Sequence, residues 1–478
     1  MRFGNHFKGS IARAFLLSPL MLATAGASNA LANFGGGPPK PQTLYVGNCV
    51  KSSPYTTISA AIAAAPPGST ILVCPGVYPE QLTITEPLTI EGIQSANQDA
   101  AIIAGASVPN ANDFDSSSQP APIIAQILVE NTSNVNLNNL VTDGSANTLD
   151  GCAVDLIGVL FQNASGSINS MAVRNEALAP SLAGCQDGQG IYVETGNGGP
   201  KPTGQQSIVV VNNTSVHDFD KNGITANDAG SYLYVGNSSI LGYGAATFGV
   251  GAQNGIQIGF GASGQLYGNN LANFDWAPDV YGDTGNAAAG ILIYAAPNVQ
   301  VTNNVVTNSQ FSIFLGSGPG GFEYGPADHA VITGNTISGS HLYDGIDVCS
   351  NGNFVNFNQI FASDEAAIHL DDTCPGSHGY DANSGSFNNV ALNTINEACI
   401  GVMSGPAATG NQVSELFSNV VNLSLTGETP AAGGAPFCPL PPQSTFQPVA
   451  GDSSLVVTAT ASNFSARRQA NLKPSPRR

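Results

Sequence analysis

The stretch that decides the fold runs from Tyr343 to Asp372. It reads YDGIDVC at residues 343–349, NFNQI at 356–360 and AIHLDD at 367–372. A small residue followed by Ile occurs at Gly345-Ile346 and again, 22 residues later, at Ala367-Ile368. The stretch therefore contains one full period of a repeat and the start of the next.

Both features of this stretch recur along most of the chain. The small residue followed by Ile occurs at Gly190, Gly223, Gly255, Gly290, Ser312, Gly345, Ala367 and Cys399, at steps of 22 to 35 residues. Asn pairs or near matches follow alternating segments at Asn138, Asn212, Asn237, Asn269, Asn303, Asn335, Asn358, Asn388 and Asn411. The shortest step indicates a coil of 22 residues, and the longer ones indicate the same coil with an inserted loop.

A unit of this length cannot bury its own apolar side chains, but stacked copies can. We therefore predict an all-β fold over residues 44–425, a right-handed parallel β-helix of about ten coils. Neighbouring coils would lie about 4.8 Å apart. Asn suits the turns because it tolerates left-handed backbone geometry, and its amide can bond to Asn in the coils above and below.

The two ends of the chain do not follow the repeat. Residues 1–32 combine a basic start, a short apolar run and an A-x-A cleavage pattern, which predicts a signal peptide and a secreted or periplasmic protein. Residues 33–43 read as a flexible leader. Residues 426–478 form a Gly/Pro-rich, finally basic tail with one potential capping strand at 455–458. The mature sequence contains no apolar run long enough to span a membrane.

The charge distribution restricts the partners of this chain. It has 13 Lys and Arg against 32 Asp and Glu, and none of the basic residues lies between Lys221 and Arg467. Such a surface repels nucleic acid and anionic lipid. We expect a monomer whose partner is a polysaccharide or a cell-surface glycan, and acidic polysaccharides would require mediating cations.

Eight cysteines in an exported chain indicate disulfide bonds. Sequential pairing suits a fold in which neighbours in sequence are neighbours in space. The predicted pairs are Cys49–Cys74, Cys152–Cys185, Cys349–Cys374 and Cys399–Cys438. Their spacings match no zinc-binding pattern.

The segment before the repeats predicts a short helix at residues 55–65, closed by Pro66-Pro67-Gly68, and then three short strands. Together with the Gly-Ile and Asn-Asn coils, it resembles the pectin-lyase-like superfamily of right-handed parallel β-helices. Residues 55–92, with GVYPE at 76–80, resemble the opening of pectinesterase-like proteins. That resemblance implies a helix that caps the first coil. The catalytic motifs of pectinesterases are absent downstream, so it does not imply their activity.

The residue after each anchor Ile should point outward, so equivalent positions form a column. This column is predicted as Tyr192, Thr225, Gln257, Leu292, Phe314, Asp347, His369 and Gly401. Asp347 and His369 would therefore be neighbours, with Asp344 and Asp371 beside them. An Asp next to a His can orient it as a base. Carboxylates in one groove could instead bind Ca²⁺, so the sequence leaves the choice between no cofactor and Ca²⁺ open. A solvated polar face is the third possibility.

Two further patterns point to carbohydrate. Loop aromatics beside carboxylates suit sugar rings, which predicts Trp276, Tyr281, Tyr324 and Asp372 as substrate-binding residues. The DGID segment at 344–347, followed by Asp364-Glu365, resembles part of the polygalacturonase pattern. That resemblance implies that Asp344, Asp364 and Glu365 are acid and base carboxylates. The basic residues of the polygalacturonase pattern have no counterpart in this half of the chain.

Two functions follow from the sequence. One is a carbohydrate-active enzyme, a polysaccharide hydrolase or lyase, with a groove on the outside of the solenoid. The other is a non-catalytic surface β-helix whose loops bind a glycan or another partner.

Overall fold

The structure is a computed structural model. It describes residues 39–426 except for 52, 95–100, 106–109, 116–120, 150, 153, 180–181, 183–184, 186, 197–203, 245–251, 277–287, 317–323, 373–383, 419 and 421. The predicted signal peptide, the first part of the leader and the tail from residue 427 lie outside the described residues.

The described chain is a parallel β-helix, as predicted. Each coil contributes a strand to three faces, which we call A, B and C in the order in which the chain visits them. Strands pair in parallel with the equivalent strand of the previous coil. One hairpin differs, because β7 (Asp113–Asp115) runs antiparallel to β8 (Ala121–Glu130).

The faces share three long strands that bend around the corners at the last coils: β31 (Gln359–Leu370), β32 (Asn389–Ser404) and β33 (Gln412–Ser418). Face A also contains β1 (Thr43–Val46), β2 (Ser69–Val73), β5 (Leu88–Gly92), β9 (Val135–Asn138), β12 (Gly166–Asn169), β15 (Ser207–Asn212), β18 (Ser231–Gly236), β21 (Ser263–Tyr267), β24 (Gln300–Thr302), β27 (Val331–Thr333) and β30 (Phe354–Asn356). Face B also contains β3 (Gly76–Tyr78), β6 (Ala101–Ile103), β10 (Val141–Asp143), β13 (Ala172–Arg174), β16 (Ser215–His217), β19 (Ser239–Leu241), β22 (Asn270–Phe274), β25 (Val305–Ser309) and β28 (Thr336–Ser340).

Face C carries the candidate site. Beside β8, β31 and β32 it contains β4 (Leu82–Ile84), β11 (Asp155–Gln162), β14 (Gln189–Glu194), β17 (Asn222–Ala226), β20 (Asn254–Gly259), β23 (Ala289–Tyr294), β26 (Phe311–Gly316), β29 (Ile346–Val348) and β34 (Asn422–Thr426). The described part of face C thus stacks twelve strands, slightly more than the coil number expected from the sequence.

The small residue before each anchor Ile has a packing role at the corner between faces B and C. A Cβ atom on Gly255 would lie 2.5 Å from the carbonyl oxygen of Gly290 and 2.8 Å from Cδ2 of Leu271. Glycine lets the backbone approach both groups, while Ile256 fills the interior and is fully buried. The repeated dipeptide is therefore the corner of the solenoid.

A buried amide ladder runs along the corner between faces A and B. Asn335 illustrates one step, because its Oδ1 accepts hydrogen bonds from the N–H and Nδ2 of Asn304 at 2.9 and 3.0 Å. Its own Nδ2 donates to Val301 O and Asn358 Oδ1, both at 2.9 Å. The ladder residues are Ser238, Asn269, Asn304, Asn335, Asn358 and Asn393, and Glu415 accepts both final bonds.

The two roles expected of Asn are divided between neighbouring residues. Asn303 adopts the left-handed conformation, with φ of 57°, whereas Asn304 forms the ladder. Asn237 and Ser238 divide the roles in the same way. These two pairs hold both roles, whereas the hydrogen-bonding residue follows a Gly or Phe with positive φ at Asn269, Asn335, Asn358, Asn388 and Asn411.

The predicted capping helix is present as α1 (Ile58–Ala64), which buries Ile58 and Ala61 on the end of the solenoid. Its first N–H groups are bound by Glu80, whose two oxygens accept from Ile58 and Ser59 at 2.8 and 2.9 Å. A carboxylate is favourable at a helix N-terminus. The last residue of the GVYPE segment therefore holds this helix in place.

Two of the four predicted disulfides are confirmed, Cys49–Cys74 and Cys152–Cys185. Cys349 and Cys399 are also disulfide-bonded. Cys374 and Cys438 lie outside the described residues, so their pairing stays a prediction. Among the described residues, no helix has the length and apolar character needed to cross a bilayer.

Candidate functional site

The predicted outward column of face C is confirmed as far as His369. Phe314 of β26 pairs with Asp347 of β29, and Asp347 pairs with His369 of β31. The next position was wrong, since His369 pairs with Met403 and not with Gly401. Ile368 pairs with Val402, so Gly401-Val402, and not Cys399-Ile400, is the counterpart of Ala367-Ile368 in the next coil.

Asp344 forms a hydrogen bond with His369 of the next coil. Its Oδ1 accepts the N–H of Ala366 at 2.9 Å, and its Oδ2 lies 3.1 Å from Nδ1 of His369. Asp344 and His369 are only 2% and 8% exposed. Because Asp344 is itself fixed by the backbone, it can orient the imidazole and stabilise its protonated form.

Asp347 is a buried carboxyl group among other acids. Its pKa is raised well above the ordinary value of 3.8, first by burial and then by the charges of Asp371, Asp344 and Glu365, against an opposing effect of His369. The Sγ of Cys349 lies 3.5 Å from Asp347 Oδ1, but this sulfur is in a disulfide and has no proton to donate. Asp347 therefore holds its proton far more readily than an exposed aspartic acid.

Two triplets of side chains have atoms close enough to share a cation. Ligand atoms of Asp344, Asp347 and His369 lie within 4.8 Å of one another, as do those of Asp347, Cys349 and Asp371. The second triplet is not a thiolate site, because Cys349 is disulfide-bonded. The first is the place for the predicted Ca²⁺, and its oxygens suit that ion better than its imidazole does. Calcium binding stays a prediction.

Asp364 lies in a separate cluster. Its Oδ2 accepts the N–H of Leu342 at 3.0 Å and lies 3.2 Å from Nδ1 of His341. Asp275 lies 4.0 Å from the other ring nitrogen of His341. The hydrogen bond to Asp364 is the main reason why the pKa of His341 is raised. Glu365, in contrast, is close enough to Asp347 to raise its pKa.

Sequence reasoning missed His341 and Asp275. The contact between His341 and Asp364 could have been predicted from the repeat. Ser340 pairs with Ser363 of the next coil, and His341 and Asp364 directly follow these two residues.

The three predicted substrate-binding residues that the structure describes have different surroundings. Trp276 packs against the core of the solenoid. Tyr324 contacts Phe260, with ring centroids 5.5 Å apart. Asp372 accepts the N–H of Ala407 from the next coil. Tyr281 lies outside the described residues.

Asp344, Asp347 and Asp371 form what we call the acidic cluster. Aromatic residues other than the predicted ones adjoin it. Phe311 stacks on Tyr343 with centroids 4.6 Å apart and an interplanar angle of 19°. Phe314 lies 5.3 Å from Phe311 and one strand below Asp347. The sequence analysis placed Phe314 in the outward column but did not name these three residues as substrate-binding, because they lie in or beside strands and not in loops.

Comparison with protein-family models finds no match, and comparison with the curated proteins finds none. The structure is similar to the catalytic unit of a GH87 α-1,3-glucanase from Streptomyces thermodiastaticus strain HF3-3, with a TM-score of 0.48 and 12% identity. The match covers 78% of this chain and 66% of that chain, so the present chain spans about two thirds of that unit.

Two other solved structures show the same kind of similarity. The polygalacturonase from Erwinia carotovora ssp. carotovora has a TM-score of 0.42 and 11% identity, over 82% of this chain and 99% of that chain. PfbA, a surface adhesin of Streptococcus pneumoniae, has a TM-score of 0.45 and 12% identity, over 79% and 88%. Similarity this low carries no activity from one protein to another, so function must be argued from the site.

Proposed function

We propose that the protein is an exported carbohydrate-active enzyme that hydrolyses a glycosidic bond beside Asp347 and His369. One observation carries this proposal. A buried carboxyl group that favours its protonated form lies in register with an imidazole that a second carboxylate orients. Cleavage of a glycosidic bond requires a proton donor for the leaving oxygen and a proton acceptor for the attacking water, and Asp347 and His369 are proposed for these two roles.

In this proposal Asp347 is the general acid. Its proton passes to the glycosidic oxygen as the bond between that oxygen and the anomeric carbon breaks. A water molecule attacks the anomeric carbon, and neutral His369 takes the proton of that water at Nε2, the ring nitrogen that faces away from Asp344. Asp344 stabilises the resulting imidazolium. Proton exchange with solvent restores both groups, and one water is consumed per bond.

Hydrolysis fits this site better than elimination. A lyase removes a proton next to a uronate carboxyl group and must neutralise the charge of that carboxyl. The sequence has no Lys or Arg between residues 221 and 467, and the described site adds the carboxylates of Asp344 and Asp371. An anionic substrate would be repelled here.

Two disulfides support an exported protein, since such bonds persist in oxidising compartments. We propose a polysaccharide or a cell-surface glycan as the substrate and a monomer as the active form. Asp371 and Glu365 belong to the proposed site as neighbours whose charges keep Asp347 protonated. Asp371 is also the second candidate for the general base.

The proposal is tested by assaying the purified protein on a polysaccharide panel for new reducing ends. We expect turnover that is lost in Asp347→Asn and in His369→Ala. The matched control is His217→Ala, because His217 also pairs with an aspartate, Asp218 at 2.6 Å, but on face B. Turnover that survives both site variants would refute the proposed site.

The second candidate function is that of a non-catalytic glycan-binding β-helix, and the same assay tests it. The half-exposed aromatic residues beside the acidic cluster favour it as much as they favour an enzyme. Binding without turnover by the wild-type protein would support this reading. Loss of turnover after treatment with a chelator, with recovery on adding Ca²⁺, would show that the cation prediction is correct and that the metal-free mechanism above is incomplete.

A further inference from the structure

An aromatic surface adjoins the acidic cluster on the outside of face C. Its members are half-buried side chains from the face C strands β23 and β26 and from segments next to β20, β26 and β29. They are Phe260, Leu292, Tyr294, Phe311, Phe314, Tyr324 and Tyr343. We call this set the aromatic surface.

The rings form two groups along the solenoid axis. Phe314 lies one strand from Asp347 toward the N-terminal coils, and the ring of Phe311 lies 5.3 Å from that of Phe314 and 4.6 Å from that of Tyr343. Phe260 contacts Tyr294 at 5.2 Å and Tyr324 at 5.5 Å.

Leu292 joins the two groups, because it pairs with Phe314 on the neighbouring strand. The aromatic surface therefore extends from Asp347 by two strands, or about 10 Å, toward the N-terminal coils.

These side chains do not support the fold in the way that Trp276 does. Trp276 packs against the core of the solenoid, whereas none of the seven belongs to that core or packs against it in the described structure. The same columns are buried on either side, at Gln257 and at Asp347. Leu292 and Phe314 are thus the half-buried section of the column next to the site. Apolar rings that are exposed together indicate a ligand-binding surface.

The backbone is adapted to one of these rings. A Cβ atom on Gly316 would lie 2.9 Å from Cε1 of Phe314 and 3.0 Å from its Cζ. Gly316 follows Phe314 by two residues and so faces the same side of the strand. The absence of a side chain at this position lets the ring of Phe314 lie flat along the strand.

We propose that the aromatic surface binds an uncharged glycan that lies along the solenoid axis, with the bond to be cleaved at Asp347 and the remaining sugars toward β23. Sugar rings pack their C–H faces on aromatic planes, which requires no charge on the ligand. Charge disfavours a uronate polymer that is not bridged by cations, because the chain has acids and no Lys or Arg between Lys221 and Arg467. The position of the cleaved bond rests on the proposed function, whereas the binding surface does not.

The experiment is affinity electrophoresis of the full chain in gels that contain dextran, laminarin, xylan, galactomannan or polygalacturonate. We expect retardation by at least one neutral polysaccharide and none by polygalacturonate. Phe314→Ala and Tyr343→Ala should each weaken binding about tenfold, the equivalent of one aromatic contact. The matched control is Phe354→Ala, which removes a ring that is 51% exposed on face A and should leave binding unchanged.

Asp347→Asn separates this inference from the proposed function. We expect this variant to keep the affinity of the wild-type protein while losing turnover. Binding by the wild-type protein with no turnover would remove the proposed enzyme but leave the binding surface. The inference is overturned if no neutral polysaccharide retards the protein, if polygalacturonate binds more tightly, or if Phe314→Ala and Phe354→Ala bind alike.

Discussion

Oδ2 of Asp344 lies 3.1 Å from Nδ1 of His369, and the two residues come from consecutive coils of the solenoid. Asp344 is fixed by a second bond, from the N–H of Ala366, so it cannot turn away from the imidazole. The stacking of coils therefore assembles a site from residues 25 positions apart in sequence. The activity of the proposed site should depend on this contact more than on any other.

The first prediction concerns the tautomer of His369. In Asp344→Asn the amide oxygen can still accept from Ala366, but the amide nitrogen then faces Nδ1 and donates to it. The imidazole must keep its proton on Nε2 and can no longer act there as a base. We expect kcat to fall by roughly 10²- to 10⁴-fold, with little change in thermal midpoint.

The control for this variant is Asp218→Asn, which changes the equivalent carboxylate beside His217 on face B. It should leave kcat unchanged. A kcat for Asp344→Asn within about twofold of wild type would contradict the role given to Asp344.

The second prediction concerns the stability cost of Asp347. The pKa of this carboxyl group is raised in the folded protein above the ordinary value of 3.8, so the folded chain holds a proton that the unfolded chain releases. Its contribution to stability is complete below about pH 4 and is lost as pH rises through the raised pKa. Asp347→Asn removes the titration, so the variant should gain thermal stability relative to wild type as pH rises.

Thermal midpoints of both proteins at about pH 4 and pH 8 measure this difference. The gain should be larger at pH 8, while turnover is absent at either pH. A gain that shrinks as pH rises would mean that the pKa of Asp347 is not raised in the folded protein.

The third prediction concerns the amide ladder. Asn335→Ala removes two donated and two accepted hydrogen bonds and leaves the buried N–H of Asn304 without its acceptor, whereas Asn358 Oδ1 still accepts the backbone N–H of residue 335. We expect the free energy of unfolding to fall by about 3 kcal/mol or more, measured by urea denaturation.

Asn303→Gly provides the comparison within the same turn. Asn303 is exposed and has φ of 57°, which Gly adopts without strain. The free energy of unfolding of Asn303→Gly should differ from that of the wild-type protein by less than about 1 kcal/mol. Equal losses for the two variants would mean that the ladder contributes no more to stability than an exposed turn residue does.

The fourth prediction concerns the disulfides of the last coils. We expect Cys349 to be linked to Cys374 and Cys399 to Cys438. Non-reducing peptide mapping should use a protease that cuts at acidic residues, because trypsin finds no site between Lys221 and Arg467. A peptide that links Cys349 to Cys438 would contradict the sequential pairing.

The fold was predictable because the residues that recur in each coil have a role in the local structure of that coil. Gly255 and Ile256 mark a corner in which a Cβ atom does not fit, and Asn304 marks a ladder that needs one amide per coil. The 22-residue step from Gly345 to Ala367 likewise set Asp347 beside His369.

The rest depended on packing that residue type does not reveal. The pairing of His369 with Met403 was missed because the anchor of the last coil is Gly401-Val402, whereas the pattern of a small residue and Ile selected Cys399-Ile400. Trp276 was chosen as a loop aromatic, but a large apolar ring next to the solenoid is buried more favourably on the core. Phe314 was in the predicted column, yet its proximity to Phe311 and Tyr343 became visible only with the side chains in place.

The most direct measurement of the central claim is mass spectrometry of the products formed in water enriched in ¹⁸O. If Asp347 and His369 hydrolyse a glycosidic bond, wild-type products should carry one ¹⁸O atom at each new reducing end, and Asp347→Asn should form none. Products with an unsaturated sugar and no ¹⁸O, or labelled products from Asp347→Asn at the wild-type rate, would contradict the account.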